Sequence, residues 1–421
     1  MIGPTGRITN LLLLLLLRGN LSTSFSQLRT PLHYDDTQEH SSWSSQNLSS
    51  VPEVLDVRLM HLDLSRNFIR HINSPGLYLP SLKTLDLSYN QLQTITEGAF
   101  RDVTKLQELN VARNLLSHNV DGNSQALGSL NRLRRLDLSM NGLDDDAAEL
   151  YLRKKSVLEH LDLTGNLLMQ LAPKQFADSR SLRSINMENN LITVIEKGTF
   201  EPLKKLETLN LAKNNLVYIC DFKLHQIKLL NLSRNSIEVF FTSTDGQMYN
   251  LEILDLSYNK LLYFPMIPTT NQLRSLHLQS NMLGFLEADT MLSEASSLYR
   301  ELKADDVNDA VEYDIYSNWR MMPLTSIDLS SNHFRSFPVE AVSQLTSLST
   351  LNLSNNCIQA ISYNMTKNGG GHGENFHPPS LTFPSLRFFS LQNNGLWQLS
   401  LFFLENLPSI ETLNLRQNAE H

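Results

Sequence analysis

Hydrophobic residues along most of this chain keep one recurring spacing, LxxLxLxxN, whose ninth position is asparagine fourteen times. The positions are Asn67, Asn90, Asn114, Asn141, Asn166, Asn190, Asn214, Asn235, Asn259, Asn281, Asn332, Asn356, Asn394 and Asn418. The central leucines of each copy alternate with polar residues, as at Leu62 and Leu64, Leu85 and Leu87, and Leu254 and Leu256. That period predicts a short strand with one buried and one wet face. No copy can bury its leucines alone, so the copies must stack, strand beside strand, in a parallel sheet. An asparagine turned inward after every strand needs partners for its amide, and the backbone of the adjoining coil offers them.

The asparagines are spaced 23, 24, 27, 25, 24, 24, 21, 24, 22, 51, 24, 38 and 24 residues apart, the coil length of a leucine-rich repeat of the longer, roughly 24-residue class. The expected fold is an α/β solenoid: a horseshoe with a parallel concave β-sheet and a convex side of loops and short helical or 3-10 turns. Phe100, Phe176 and Phe200 each stand six residues before the next leading leucine, and a stack of rings under the convex side is expected from them.

Two long intervals are expected to disturb the array. Residues 282–323 carry nine acids between Glu287 and Asp314 against only Arg300 and Lys303. They read either as a degenerate coil with a solvated helix around Ser293 to Ala304, or as a break in curvature offering an acidic face to a basic partner. The second interval holds a glycine- and proline-rich loop from Asn368 to Pro379. Its His372, Glu374 and His377 lack the helical spacing of a metal-binding HExxH, so no metal site is expected.

At the N-terminus Arg7, the leucines Leu11 to Leu17 and the small residues Gly19, Ser22, Ser24 and Ser26 read as an export signal. The leucine run falls short of the ~20 residues that cross a bilayer. The organisation expected is a signal peptide over 1–25, a flank over 26–58, a first repeat block over 59–281, the acidic segment 282–323 and a second block over 324–421. The last coil is left open just after Asn418, so a longer product carrying any membrane anchor is expected. Export makes the N-x-S/T triplets informative. Asn47, Asn231, Asn352 and Asn364 are candidate glycan acceptors, although Asn231 and Asn352 belong to the strand motif LNLS; Asn20 lies in the signal.

A formal net charge of −8 argues against a nucleic-acid partner. The basic clusters Arg132, Arg134 and Arg135, Arg153 to Lys155, and Lys204 with Lys205 are flanked by acids and are expected on solvated faces. His160 and Asp162 share a strand face, but no nucleophile is spaced to complete a catalytic set. No catalytic residue, cofactor or metal ligand is expected. Only two cysteines occur, Cys220 and Cys357. Five coils at ~4.8 Å put them about 24 Å apart, beyond the roughly 7 Å reach of a disulfide. Either they bond to another molecule or react, or they are buried and inert.

The segments LNLAKNNLVYICDFKLHQIKLLNLSRNSIEVF (209–240), LDLSYNKLLYFPMIPTTNQLRSLHLQSNMLGF (254–285) and LNLSNNCIQAI (351–361) carry a resemblance. From about Leu59 onward the chain resembles the ectodomain of the leucine-rich-repeat "milieu" proteins, the family of the negative regulator of reactive oxygen species and of glycoprotein-A repetitions predominant protein. The stretches LLYFPMIP and DDDAAELYL lean toward the first of these. The resemblance implies extracellular tethering of latent transforming growth factor beta, through disulfides between two ectodomain cysteines and the growth factor's prodomain, on a protein displayed by a C-terminal transmembrane helix. Cys357 matches the family's second bridging cysteine. The first falls at Tyr218, two residues before Cys220. Trp43 and serines stand where the family has an N-terminal disulfide cap. The alternative is a Toll-like-receptor-type ligand sensor, noncovalent in its binding; a matrix protein resembling small leucine-rich proteoglycans is disfavoured by the missing N-terminal cysteine cluster.

Overall fold

The computed structural model describes residues 39–74, 76–219, 225–242, 247–267, 270–284, 322–342, 345–361 and 382–419. The leucine run, Cys220, Asn364, the acids from Glu287 to Asp314 with the helix expected there, and His372, Glu374 and His377 lie outside these residues.

One turn, repeated, generates the architecture, a parallel-strand leucine-rich-repeat solenoid. Most strands end where an aspartate or asparagine Oδ1 accepts the amide two residues on, as Asp63 does from Ser65 at 2.9 Å, Asp86 from Ser88 at 2.8 Å and Asn110 from Ala112 at 3.0 Å, an Asx turn. The residue before each ladder asparagine is then left-handed, with φ of 57° at Arg66, 54° at Tyr89 and 54° at Arg113. Such a conformation is unfavourable for a side-chain-bearing residue. The asparagine that follows offsets it. Asn90 Nδ2 donates to Leu64 O and Leu87 O at 3.0 Å each, and its Oδ1 accepts the Ile69 amide at 3.0 Å.

The chain divides into two compact units, residues 1–191 with 198–210, and residues 192–197 with 211–421. In the first, the parallel strands are His40–Ser42, His61–Asp63, Thr84–Asp86, Glu108–Asn110, Arg135–Asp137, His160–Asp162, Ser184–Asn186 and Thr208–Asn210. Their registers align the leucines, Leu62 on Leu85 and Leu85 on Leu109. The first of these strands falls in the expected flank, which therefore contributes a coil of its own. That coil caps the stack with hydrogen bonds: Ser42 Oγ donates to Asp63 Oδ2 at 3.1 Å, the Ser44 and Ser65 hydroxyls meet at 3.0 Å, and Gln46 N donates to Asn67 Oδ1 at 3.0 Å.

The longer coils of this unit store their extra residues in helices. A 3-10 turn Leu116–Asn119 runs into the helix Val120–Gly128, and the next coil carries the helix Asp145–Leu152. Asp144 caps the latter by accepting the Ala147 amide at 2.9 Å, and Asp145 and Asp146 place negative charge in its first turn. Lys155 corrects the expectation of a solvated cluster. It is only 1% exposed, and its Nζ donates to Leu127 O at 2.8 Å, a carbonyl in the last turn of Val120–Gly128 that also accepts the Leu130 amide at 3.0 Å. Arg153, Lys154, Lys204 and Lys205 are exposed as expected. Phe176 and Phe200 stack at 5.8 Å between centroids, and Phe100 is buried in its own coil.

The second unit holds the parallel strands Leu229–Asn231, Ile253–Asp255, Ser275–His277, Ser326–Asp328, Thr350–Asn352, Phe388–Ser390 and Thr412–Asn414. Here the parallel pairing runs on past both long intervals, whose own residues lie largely outside the described ones. Ser275 pairs with Ser326 across the first long interval, and the Leu283 amide donates to Asn332 Oδ1 at 3.1 Å. Thr350 pairs with Phe388 across the second, and the Ile358 amide donates to Asn394 Oδ1 at 3.0 Å. Strand pairing and ladder bonding thus continue between the described residues on either side of each interval. Beside the second interval Phe337, Phe383, Phe389 and Phe403 pack together, with centroids 5.4 to 6.2 Å apart.

Candidate functional site

The turn that builds the ladder also decides where Cys357 points. Asn356, just before it, is drawn inward, with Nδ2 donating to Leu329 O at 3.0 Å and Leu353 O at 3.1 Å while Oδ1 accepts the Phe334 amide at 3.1 Å. Ile358, just after it, is fully buried. With both neighbours turned in, the thiol between them is exposed and free. The backbone there is pinned, since Cys357 N donates to Phe334 O at 2.9 Å. Cys357 is thus not buried in the repeat core.

Around the sulfur lies a shallow depression of about 370 Å³ lined by Asn355, Asn356, Gln359, Asn393, Asn394 and Gly395. Its walls are fixed by Asn393 Nδ2 donating to Asn355 Oδ1 at 2.9 Å. None of these lining residues is charged. One coil further, Trp397 is 55% exposed, and its amide donates to Gln359 O at 2.8 Å. An accessible thiol, neutral hydrogen-bonding side chains and an exposed indole favour contact with another protein, since tryptophan is enriched where interfaces gain their energy.

Cys220 lies outside the described residues. Tyr218, where the resemblance places the first bridging cysteine, is exposed in a short strand with Ile219, paired with Val239–Phe240. Of the glycan candidates, Asn47 is exposed in the cap coil. Asn231 is 9% exposed, with Oδ1 accepting the Ser233 amide at 3.0 Å. Asn352 is half-buried and accepts from both the amide and the hydroxyl of Ser354, at 3.1 and 2.8 Å.

His160 and Asp162 share the sheet face without working together. Asp162 accepts from Thr164 N at 2.8 Å and Asn186 Nδ2 at 3.2 Å, whereas His160 Nδ1 is buried with no partner. Burial, and then the Arg135 charge, lower the His160 pKa from its ordinary value. Among the described residues no helix is long and apolar enough to cross a membrane.

A family model for the leucine-rich repeat matches residues 57–116, 80–143, 156–216 and 323–368. The chain is 32% identical over 396 residues to transforming growth factor beta activator LRRC33 of Danio rerio, covering 89% of this chain and 57% of that protein. It is 31% identical over 343 residues to transforming growth factor beta activator LRRC32 of Mus musculus, covering 80% and 51%. The chain thus spans little more than half the length of these relatives. Among solved structures, a leucine-rich-repeat protein of Leptospira interrogans, LIC12759, superposes with a TM-score of 0.60 at 20% identity over 93% of this chain and 98% of that one. The APL1 leucine-rich repeat domain gives 0.58 at 19% over 84% and 81%. Both likenesses concern the fold.

Proposed function

The chain is a leucine-rich-repeat protein with homology to two transforming growth factor beta activators, and on that premise we propose that it binds a latent transforming growth factor beta precursor outside the cell and tethers it covalently. The observation that carries this reading is the free, exposed Cys357 held at a fixed point of the ladder turn. The bond forms by thiol–disulfide exchange: the Cys357 thiolate attacks a disulfide of the prodomain, one S–S bond forms as one breaks, and the displaced sulfur takes up a proton. Cys220 supplies the second linkage, and the indole of Trp397 packs against the prodomain beside the first. Exported protein carries glycans at the exposed Asn47 and at Asn364, with Asn231 and Asn352 the poorer acceptors because their amides are buried or already hydrogen-bonded. Presentation at a cell surface follows where a longer product supplies an anchor.

Coexpression with a latent growth-factor precursor tests the proposal. The expected product is a high-mass species on a nonreducing gel that reductant dissolves. Cys357→Ser and Cys220→Ser each remove one linkage, and the first is the more damaging. A double variant that still migrates at high mass would refute the covalent tether.

A further inference from the structure

A second surface stands in the first unit, independent of the cysteines and of the growth-factor reading. The left-handed turn position before the ladder asparagine is exposed in every coil that carries Arg66, Tyr89 and Arg113. These three come from consecutive coils, and they stack. The Arg66 guanidinium lies 4.8 Å and the Arg113 guanidinium 4.9 Å from the centroid of the Tyr89 ring. Neither arginine takes part in an ion pair among the described residues. Carboxylates on the strands of these coils have other partners, Glu108 among them in an ion pair with Arg135 at 3.3 Å. Asp63 accepts from Ser65 N and Ser42 Oγ, and Asp86 from Ser88 N and Asn110 Nδ2.

Alternation extends the surface sideways. Ladder asparagines turn in, so the next residue turns out, and there Phe68 is 50% and Leu115 38% exposed. Two residues further Arg70 is exposed and donates from Nε to Gln91 Oε1 at 3.0 Å. Across these three coils, the outward positions from Arg66 to Arg70, Tyr89 to Gln93 and Arg113 to Ser117 hold three arginines and no acid, in a chain whose net charge is −8. A guanidinium stacked on an aromatic ring keeps its N–H edge free for a carboxylate and loses little freedom in binding it.

We propose that Arg66, Tyr89 and Arg113, with Phe68 and Leu115 beside them, form a docking surface for an acidic, extended protein segment. The arginines flank one ring from neighbouring coils, so their heads are separated by about 10 Å, the span of about three residues of extended chain. The fitting segment carries two carboxylates at that spacing with an apolar side chain between them. The exposed Phe68 and Leu115 decide for protein over sulfated glycan, because arginine mixed with aromatic and apolar groups is the composition of protein interfaces.

Fluorescence anisotropy on the full chain tests this with a labelled peptide carrying two glutamates three residues apart around a leucine, and with its glutamine counterpart. Saturable binding of the glutamate peptide is expected, weakened by salt and absent for the glutamine peptide. Arg66→Ala with Arg113→Ala should weaken it roughly tenfold or more, and Tyr89→Ala, which keeps both charges, should weaken it severalfold. Circular dichroism confirms that the variants stay folded. Cys357→Ser should leave peptide binding unchanged, which separates this surface from the tether. Failure of the wild-type chain to bind the peptide, unchanged binding by the double arginine variant, or tighter binding of a heparin oligosaccharide than of the peptide would each overturn the proposal.

Discussion

Desolvation disfavours the charged form of a lysine, and one carbonyl partner does not restore what water gave. At Lys155 that burial, followed by the charge of neighbouring Lys154, lowers the pKa from 10.5 to about 8. Between those two values the unfolded chain keeps a proton that the folded chain has released, so stability rises with pH over that window and is flat from this source below it. A displacement of this size corresponds to roughly 3 kcal/mol at most. Lys155→Met should therefore abolish most of the rise expected between pH 8 and pH 10 in urea-unfolding midpoints of the parent chain. Parallel profiles for parent and variant would show that the ammonium stays hydrated. Nothing in the run Arg153 to Lys155 reveals this. The burial depends on a helix one coil earlier, and the extra residues between Asn114 and Asn141 that make that helix were the only sign of it.

Strand and turn hold the array together, and the return segments are free to vary. That is why the two long intervals leave the registers Ser275 to Ser326 and Thr350 to Phe388 intact. Added loop length costs little, about 0.6 kcal/mol per doubling. Deleting residues 295–308 from the acidic interval should accordingly shift the unfolding free energy by no more than about 1 kcal/mol, as read from urea denaturation. A large loss of cooperativity would mean that the interval holds the neighbouring coils together. The ladder, the strand registers and the buried phenylalanines were legible because each rests on a short, periodic local rule. Other elements follow from contacts between coils. The cap strand His40–Ser42 has no leucine pattern to announce it, and Gln46 occupies its ladder position. The side-chain direction at Cys357 was implicit in its place between Asn356 and Ile358, whereas the stacking of Arg66, Tyr89 and Arg113 required knowing that one left-handed turn recurs in consecutive coils.

A stack of coils is vulnerable at its ends, where the last layer of leucines has no neighbour to cover it. At the N-terminal end a polar coil does the covering without any cystine. Asn67 Nδ2 donates to Trp43 O at 2.9 Å, Trp43 N to Asp63 O at 2.7 Å, and the serines at 42 and 44 add their hydroxyls to Asp63 and Ser65. Cys357 is free and sits far along the sequence from this cap. The unbound chain therefore draws its stability from noncovalent layers, whereas the proposed complex depends on sulfur. Calorimetric melts of the unbound monomer with and without reductant should coincide. Ser42→Ala combined with Ser44→Ala should lower the unfolding free energy by about 1–2 kcal/mol, the sum expected of two partly exposed hydrogen bonds. The same reductant should release the growth-factor precursor from the covalent complex. A melt of the unbound chain that falls on reduction would place a structural disulfide in the solenoid, and with only Cys220 and Cys357 to make it, the free thiol on which the tether rests would be lost.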